Sequence, residues 1–265
     1  MSDNAGNPAW LERETARQYK IFTEQTTMYQ DLSRFMVSLA ELEPGMTILD
    51  LGCGTGITTQ IALQTLKDEG HIYALDISGP MLDIARQTLD GRPVTFIQAD
   101  AADFAPQIDR PVDRVLCNSV FWQFRNKPKV MADLHQVLKP DGVFVFNAPE
   151  PYFIFQSIPP SRKVAILFKQ LAAERYGVGA QDLRTIEVFL NNHRFTLHQT
   201  APFTRTRSAE ESYHFMQLPV STAWMDPPLT YETRMALLEE ARQRADPDTQ
   251  SKRRWMYFVA HPKTN

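Results

Sequence analysis

The 265-residue sequence predicts an α/β fold in which a mostly parallel sheet carries helices on both faces. Three observations predict it. Between residues 45 and 150, short apolar runs alternate with amphipathic segments at helical spacing. The first of those runs ends in a turn holding three glycines, Gly52, Gly54 and Gly56. Two late apolar runs bring the sheet to seven strands.

Taken in order, residues 1–9 have the Ser, Asp, Asn, Gly and Pro of a frayed end. From Trp10 to Leu42 apolar residues recur at spacings of three and four, among them Tyr19, Phe22, Leu32, Phe35, Met36 and Leu39, which predicts a helical cap over residues 1–43 that Pro44 and Gly45 end. A core follows over 44–149, with strands at Thr47–Leu51, Ile72–Leu75, Val94–Gln98, Val112–Cys117 and Val143–Asn147. The helices between them include one capped by Ser78 and one over Asn126–Lys139, which Pro140, Asp141 and Gly142 turn into the fifth strand. Residues 150–192 show no clear strand, and Val164, Leu167, Phe168, Leu171 and Ala172 at helical spacing, with a second helix over Asp182–Asn191, predict a helical lid insertion. Over 193–265, strands at Phe195–Arg205 and Arg254–His261, separated by helical stretches, complete the sheet of a single domain.

Composition narrows the function. Net charge is -3, with 28 basic against 31 acidic side chains, which argues against a surface dominated by phosphate-binding lysines and arginines while leaving room for a local basic groove, and no nucleic-acid partner is expected. Only Cys53 and Cys117 are present, which argues against a disulfide framework and for a reducing compartment. Met1–Ala9 lacks the basic and apolar regions of a signal peptide, and no apolar run approaches a membrane span; a cytoplasmic protein without stable membrane insertion is expected, as monomer or homodimer.

The turn itself selects a ligand. In Ile48-Leu49-Asp50-Leu51-Gly52-Cys53-Gly54-Thr55-Gly56, glycines between a buried strand and a helix let a ligand approach the backbone, while the helix start presents free N–H groups. A phosphate-gripping loop would need Gly-Lys-Ser or Gly-Lys-Thr, which is missing. A dinucleotide fingerprint would need G-x-G-x-x-G or G-x-G-x-x-A, but the spacing is G-x-G-x-G and Ile57 follows.

That spacing, preceded by Asp50, resembles motif I of the class I S-adenosylmethionine-dependent methyltransferases, of the type acting on small molecules and natural products. The likeness continues through Asp76 at the end of strand two, Asp100 in Phe96-Ile97-Gln98-Ala99-Asp100-Ala101, Asn118 after strand four, and Val137-Leu138-Lys139-Pro140-Asp141-Gly142. It implies a Rossmann-like seven-stranded sheet and S-adenosyl-L-methionine as cofactor. It also implies that Asp76 accepts from both ribose hydroxyls, as a carboxylate suits two adjacent donors. Asp100 would accept from the adenine amino group, Asn118 would stand beside the methionine part, and Tyr19 would lie over the cofactor. Cys53, Ile77, Met81 and Ala101 adjoin these positions and are expected to line the same site. Without the resemblance, Asn118 reads equally as a turn closure, Cys53 as a small space-filling residue, and Phe22, Phe121 and Trp122 as core.

Because a sulfonium is already activated, alignment and exclusion of water dominate and a base is optional. Glu150, at the end of strand five, and His198 and His214, in the region expected to roof the acceptor, are the candidate proton acceptors. No acidic cluster of the catechol type is evident, so no metal is expected. The segment Pro151–Pro160 is aromatic and apolar, which predicts a cover over a small, largely apolar acceptor methylated on oxygen, nitrogen or carbon, or else a loop buried against the next helix. A basic run over Ser161–Tyr176 adds membrane-surface contact as a further reading. The rival function is a relative of the same fold that keeps the cofactor but catalyses another step, such as cyclisation or decarboxylation.

Overall fold

A computed structural model of the protein describes residues 8–155, 164–179, 181–221 and 229–264. The frayed end expected over residues 1–9 falls almost entirely outside them, as do Gln156–Pro160 of the aromatic segment and Arg162 and Lys163 of the basic run.

The N-terminal cap is two helices rather than one, α1 (Arg13–Gln25) and α2 (Met28–Ala40). The break falls at Thr26, which is extended and turns both its N–H and its hydroxyl back onto the Phe22 carbonyl, at 3.0 and 3.1 Å. This closes α1 and lets α2 start in a new direction.

The core then alternates as expected: β1 (Thr47–Leu51), α3 (Ile57–Leu66), β2 (His71–Asp76), α4 (Gly79–Thr88), β3 (Val94–Gln98), β4 (Val112–Cys117), α5 (Lys127–Val137) and β5 (Leu138–Pro149). Ser78 does cap α4, its hydroxyl accepting from Met81 N–H at 3.4 Å. The Pro140-Asp141-Gly142 segment lies inside β5 instead of forming a separate turn before it, since Leu138 already pairs with Val112 and a register shift in β4 absorbs the irregularity. After β5 come α6 (Val164–Tyr176), α7 (Leu183–Asn192), β6 (Phe195–Ser208), α8 (Ala209–Met216), α9 (Tyr231–Arg244) and β7 (Gln250–Pro262).

The seven strands run in the order β3-β2-β1-β4-β5-β7-β6, with only β7 antiparallel to its neighbours. Strand order reverses between β1 and β4, the switch point at which open α/β sheets take ligands at their carboxyl edge. Leu32 and Met36 of α2 and Leu63 and Leu66 of α3 cover one face with Ile48, Val145 and Tyr257, while Leu134 of α5 and Phe189 of α7 cover the other with Leu49, Phe146 and Phe258.

The expected cover over residues 150–192 divides in two. Helix α7 is a core helix, its Ile186, Phe189 and Leu190 buried against the sheet, and Asp182 caps it by accepting from Thr185 N–H at 2.9 Å. Residues 151–155 are docked rather than free: Ile154 N–H donates to Gln181 O at 2.8 Å, Phe153 is 2% exposed against Phe258, and Tyr152 stacks on Trp122. Of residues 151–155, Phe153 is the buried one, and it packs on the sheet, where aromatic area gains more than over water, not on the following helix. On the α1 side of the carboxyl edge lies α8, where Phe215 meets Phe22 with ring centroids 5.8 Å apart.

Candidate active site

At the switch point, the loop after β1 bends over the end of β2. Gly54 N–H donates to Asp76 Oδ2 at 2.8 Å, and Ser78 N–H donates to Oδ1 of the same carboxylate at 2.8 Å. Asp76 is thereby held with lone pairs to spare, and burial raises it above the usual carboxylate range.

The glycines divide their work. A Cβ on Gly52, whose φ is +80°, would stand 2.6 Å from Val120 Cγ1, so this residue lets the loop after β4 close against the turn. A Cβ on Gly54, φ +55°, would meet nothing within 4 Å and would project into open space, where a ligand can reach the backbone.

Beneath the turn, Asp50 is 1% exposed; Thr59 Oγ1 donates to its Oδ2 at 2.6 Å, and its Oδ1 is buried with no partner. Burial pushes Asp50 up to about 7. Tyr19 and Tyr29 close the opposite wall, with ring centroids 5.1 Å apart. Burial drives both phenols up, Tyr29 to about 12.

The pocket so formed is lined by Tyr19, Tyr29, the Gly52–Thr55 turn, and a polar floor of Ser33, Thr58 and Asn118. Asn118 is fixed on several sides: its Nδ2 donates to Ser33 Oγ at 3.0 Å and to Thr58 Oγ1 at 3.3 Å, while its Oδ1 accepts from Asn147 Nδ2 at 2.8 Å. Ser33 and Asn147 are fully buried. A network this committed fixes the orientation of the Asn118 amide.

Of the expected cofactor residues, Tyr19, Gly52, Cys53, Gly54 and Asn118 line this pocket; Asp50 and Gly56 support it; and Asp76, exposed Ile77 and buried Met81 continue it along the start of α4. Asp100 and Ala101 follow β3 and stand at its end, where Ala99 N–H donates to Asp76 O at 3.2 Å; the Asp100 carboxylate is exposed and accepts from Ala102 N–H at 2.9 Å.

The candidate proton acceptors do not converge. Glu150 is bound to Arg254 at the end of β5. His214 lies on α8 between Glu210 and Gln217, at 3.2 and 3.1 Å, and faces a surface cavity with Arg205 and Glu211. His198 is at the other end of the sheet: it stands near the start of β6, edge-to-face with His261 at the end of β7, whereas the carboxyl edge lies at the end of β6. The expectation that His198 roofs the acceptor is therefore overturned, because a strand running toward the ligand edge carries its first residues away from it. Among the described residues no group of three or more His, Cys, Asp or Glu side chains is placed to hold a metal ion, and no helix is long and apolar enough to cross a membrane.

Sequence reasoning missed Tyr29, Ser33, Thr58, Asn147 and Arg207. A signal was available for Ser33 and Thr58, small polar residues on otherwise apolar helix faces.

Residues 49–146 match the family model described as a methyltransferase domain. The chain is similar to the trans-aconitate 2-methyltransferase of Azoarcus sp., 29% identical over 55% of this chain and 53% of that one. It is similar also to the demethylmenaquinone methyltransferase of Symbiobacterium thermophilum, 31% identical over 46% and 50%. It thus spans about half the length of these curated relatives. In fold it resembles a S-adenosylmethionine-dependent methyltransferase from Geobacter sulfurreducens solved with S-adenosyl-L-homocysteine, with TM-score 0.57, 17% identity and 93% of this chain and 98% of that covered. It also resembles the [4+2]-cyclase SpnF, with TM-score 0.55, 17% identity and coverage of 89% and 82%.

Residues 49–146 are thus a methyltransferase domain, the described fold is that of the class I enzymes, and S-adenosylmethionine is the cofactor of this domain. The residues present fit it: open space over Gly54, an unpartnered buried oxygen on Asp50 and two aromatic rings facing the turn suit a cationic nucleoside.

Proposed function

We propose that this protein transfers the methyl group of S-adenosylmethionine to oxygen, nitrogen or carbon of a small metabolite with a largely apolar body. The observation that carries this is the Asp76–Gly54 contact, which joins the end of β2 to a glycine-lined opening between β1 and β4. When bound, the cofactor supplies a methyl group already activated by positive sulfur.

In this reading the spare lone pairs of Asp76 accept from the ribose hydroxyls, Asp100 accepts from the adenine amine, and Asn118 and Asp50 attend the methionine part. Tyr19 and Tyr29 turn π-faces to positive charge, and Phe22 and Phe215 supply an apolar wall beside them. Of the three candidate bases only His214 remains near α1, and alignment with exclusion of water carries the reaction where the acceptor ionises readily. Fold likeness to a cyclase supports a second reading, in which the cofactor is bound but no methyl group leaves it.

Two measurements test this. Titration with S-adenosyl-L-homocysteine should give saturable binding that Asp76→Ala removes; no binding by the native chain sinks both readings. With methyl-labelled cofactor and a cell extract of small metabolites, label should pass to an extractable product. Binding without any transfer favours the second reading.

A further inference from the structure

Two arginines lie near the end of β6, and among the described residues only one has a counter-charge. Arg205 and Arg207 are two residues apart on the strand and so share a face. Arg205 is neutralised by Asp31, at 3.0 Å, and by Glu211, and its guanidinium also donates to Thr27 Oγ1. Arg207 is the more deeply buried, at 5% exposure. Its Nε donates to Ser212 Oγ at 3.1 Å and its guanidinium lies over the Phe215 ring, 4.9 Å from the centroid. Among the described residues no carboxylate comes within ion-pair reach of it, and the nearby Glu211 is engaged by Arg205.

Place matters as much as charge. Arg207 sits one residue from the carboxyl end of β6, the ligand edge of the sheet, and Phe215 above it touches Phe22 of α1. Phe22 in turn meets the ring of Tyr29, centroids 6.1 Å apart, and Tyr29 lines the cofactor pocket beside Tyr19. A buried cation without an anion is costly unless something else supplies the charge. A guanidinium fork matches a carboxylate in two parallel hydrogen bonds, and a positive sulfur nearby would favour the same anion.

We infer that Arg207 anchors a carboxylate of the methyl acceptor, so that the substrate class is an organic acid with an apolar body held between Tyr29 and Phe215. This rests on the methyltransferase reading above.

The test titrates the full chain, with and without S-adenosyl-L-homocysteine, using trans-cinnamate and hexanoate, each beside its methyl ester. At least one acid should bind about tenfold more tightly than its ester, the value of a charge-assisted pair. Arg207→Gln should bring the two within about twofold while Arg207→Lys keeps part of the preference, and homocysteine-product affinity should be unchanged in both. Equal binding of acid and ester, no binding of either member of both pairs, or an undiminished preference in a folded Arg207→Gln overturns the proposal. Circular dichroism reports folding; if Arg207→Gln does not fold, the native acid-to-ester ratio and its weakening in Arg207→Lys decide. Should the native chain fail to bind S-adenosyl-L-homocysteine, the methyltransferase reading falls, and the ratio in its absence still decides whether an anion site exists.

Discussion

The backbone N–H of Gly54 donates to Oδ2 of Asp76 at 2.8 Å, tying the turn after β1 to the last residue of β2. One carboxylate thus shapes the loop and, with its remaining lone pairs, faces whatever occupies it. Replacing Asp76 by Ala removes both roles, and affinity for S-adenosyl-L-homocysteine should fall by at least about tenfold, as expected for losing about 1.5–3 kcal/mol of hydrogen bonds to a charged group. Calorimetric titration reads this directly; an unchanged affinity would falsify the assignment of Asp76 to the ribose.

Gly52 and Gly54 should separate stability from binding. Both have positive φ, so alanine strains each, but only at Gly52 would the new Cβ press on Val120. Thermal melts should show Gly52→Ala less stable than Gly54→Ala by about 1–3 kcal/mol, the cost of overpacking. Gly54→Ala should melt closer to the native protein yet bind the cofactor product more weakly. Equal melting points for the two variants would contradict this division.

Asp50 should leave a mark on the pH dependence of stability. Its carboxyl is raised from 3.8 to about 7 by burial, so the folded state holds this proton more tightly than the unfolded chain does. Its contribution is fully present below the unfolded value and is lost as pH rises from about 4 to about 7, a change of up to about 4 kcal/mol. Asp50→Asn, still able to accept from Thr59, should flatten that slope and melt above the native protein at pH 8. Parallel profiles for the two proteins would argue that Asp50 titrates normally.

Lys127 is 5% exposed and donates from Nζ to the carbonyls of Trp122 and Phe124, at 3.1 and 2.9 Å, which holds the loop after β4. Burial lowers it from 10.5 to about 8, so the folded state releases this proton first and stability should rise between those values. Lys127→Met leaves two carbonyls without their donor; it should lose about 1–3 kcal/mol at pH 7 and show no such rise. Urea unfolding at pH 7 and 9.5 supplies the comparison, and a variant as stable as the native protein would show the two contacts to be idle.

The sequence by itself determined the sheet and one side of its ligand site. Alternating apolar runs, the three glycines, and the carboxylates Asp50, Asp76 and Asp100 at strand ends are local features, legible because period and turn chemistry act between near neighbours. Tertiary structure decided the rest. It broke the N-terminal helix at Thr26, drew Phe153 into the core, set His198 at the end of β6 away from the ligand edge, and drew on three elements, α2, β5 and β6, for Tyr29 and Ser33, Asn147, and Arg207. Whether an arginine is neutralised depends on which carboxylates the fold carries to it: Arg205 meets Asp31 across 174 residues, and Arg207, two positions along the same strand, meets none among the described residues. Spacing along the chain cannot encode that difference, because burial and charge pairing are properties of neighbours in space.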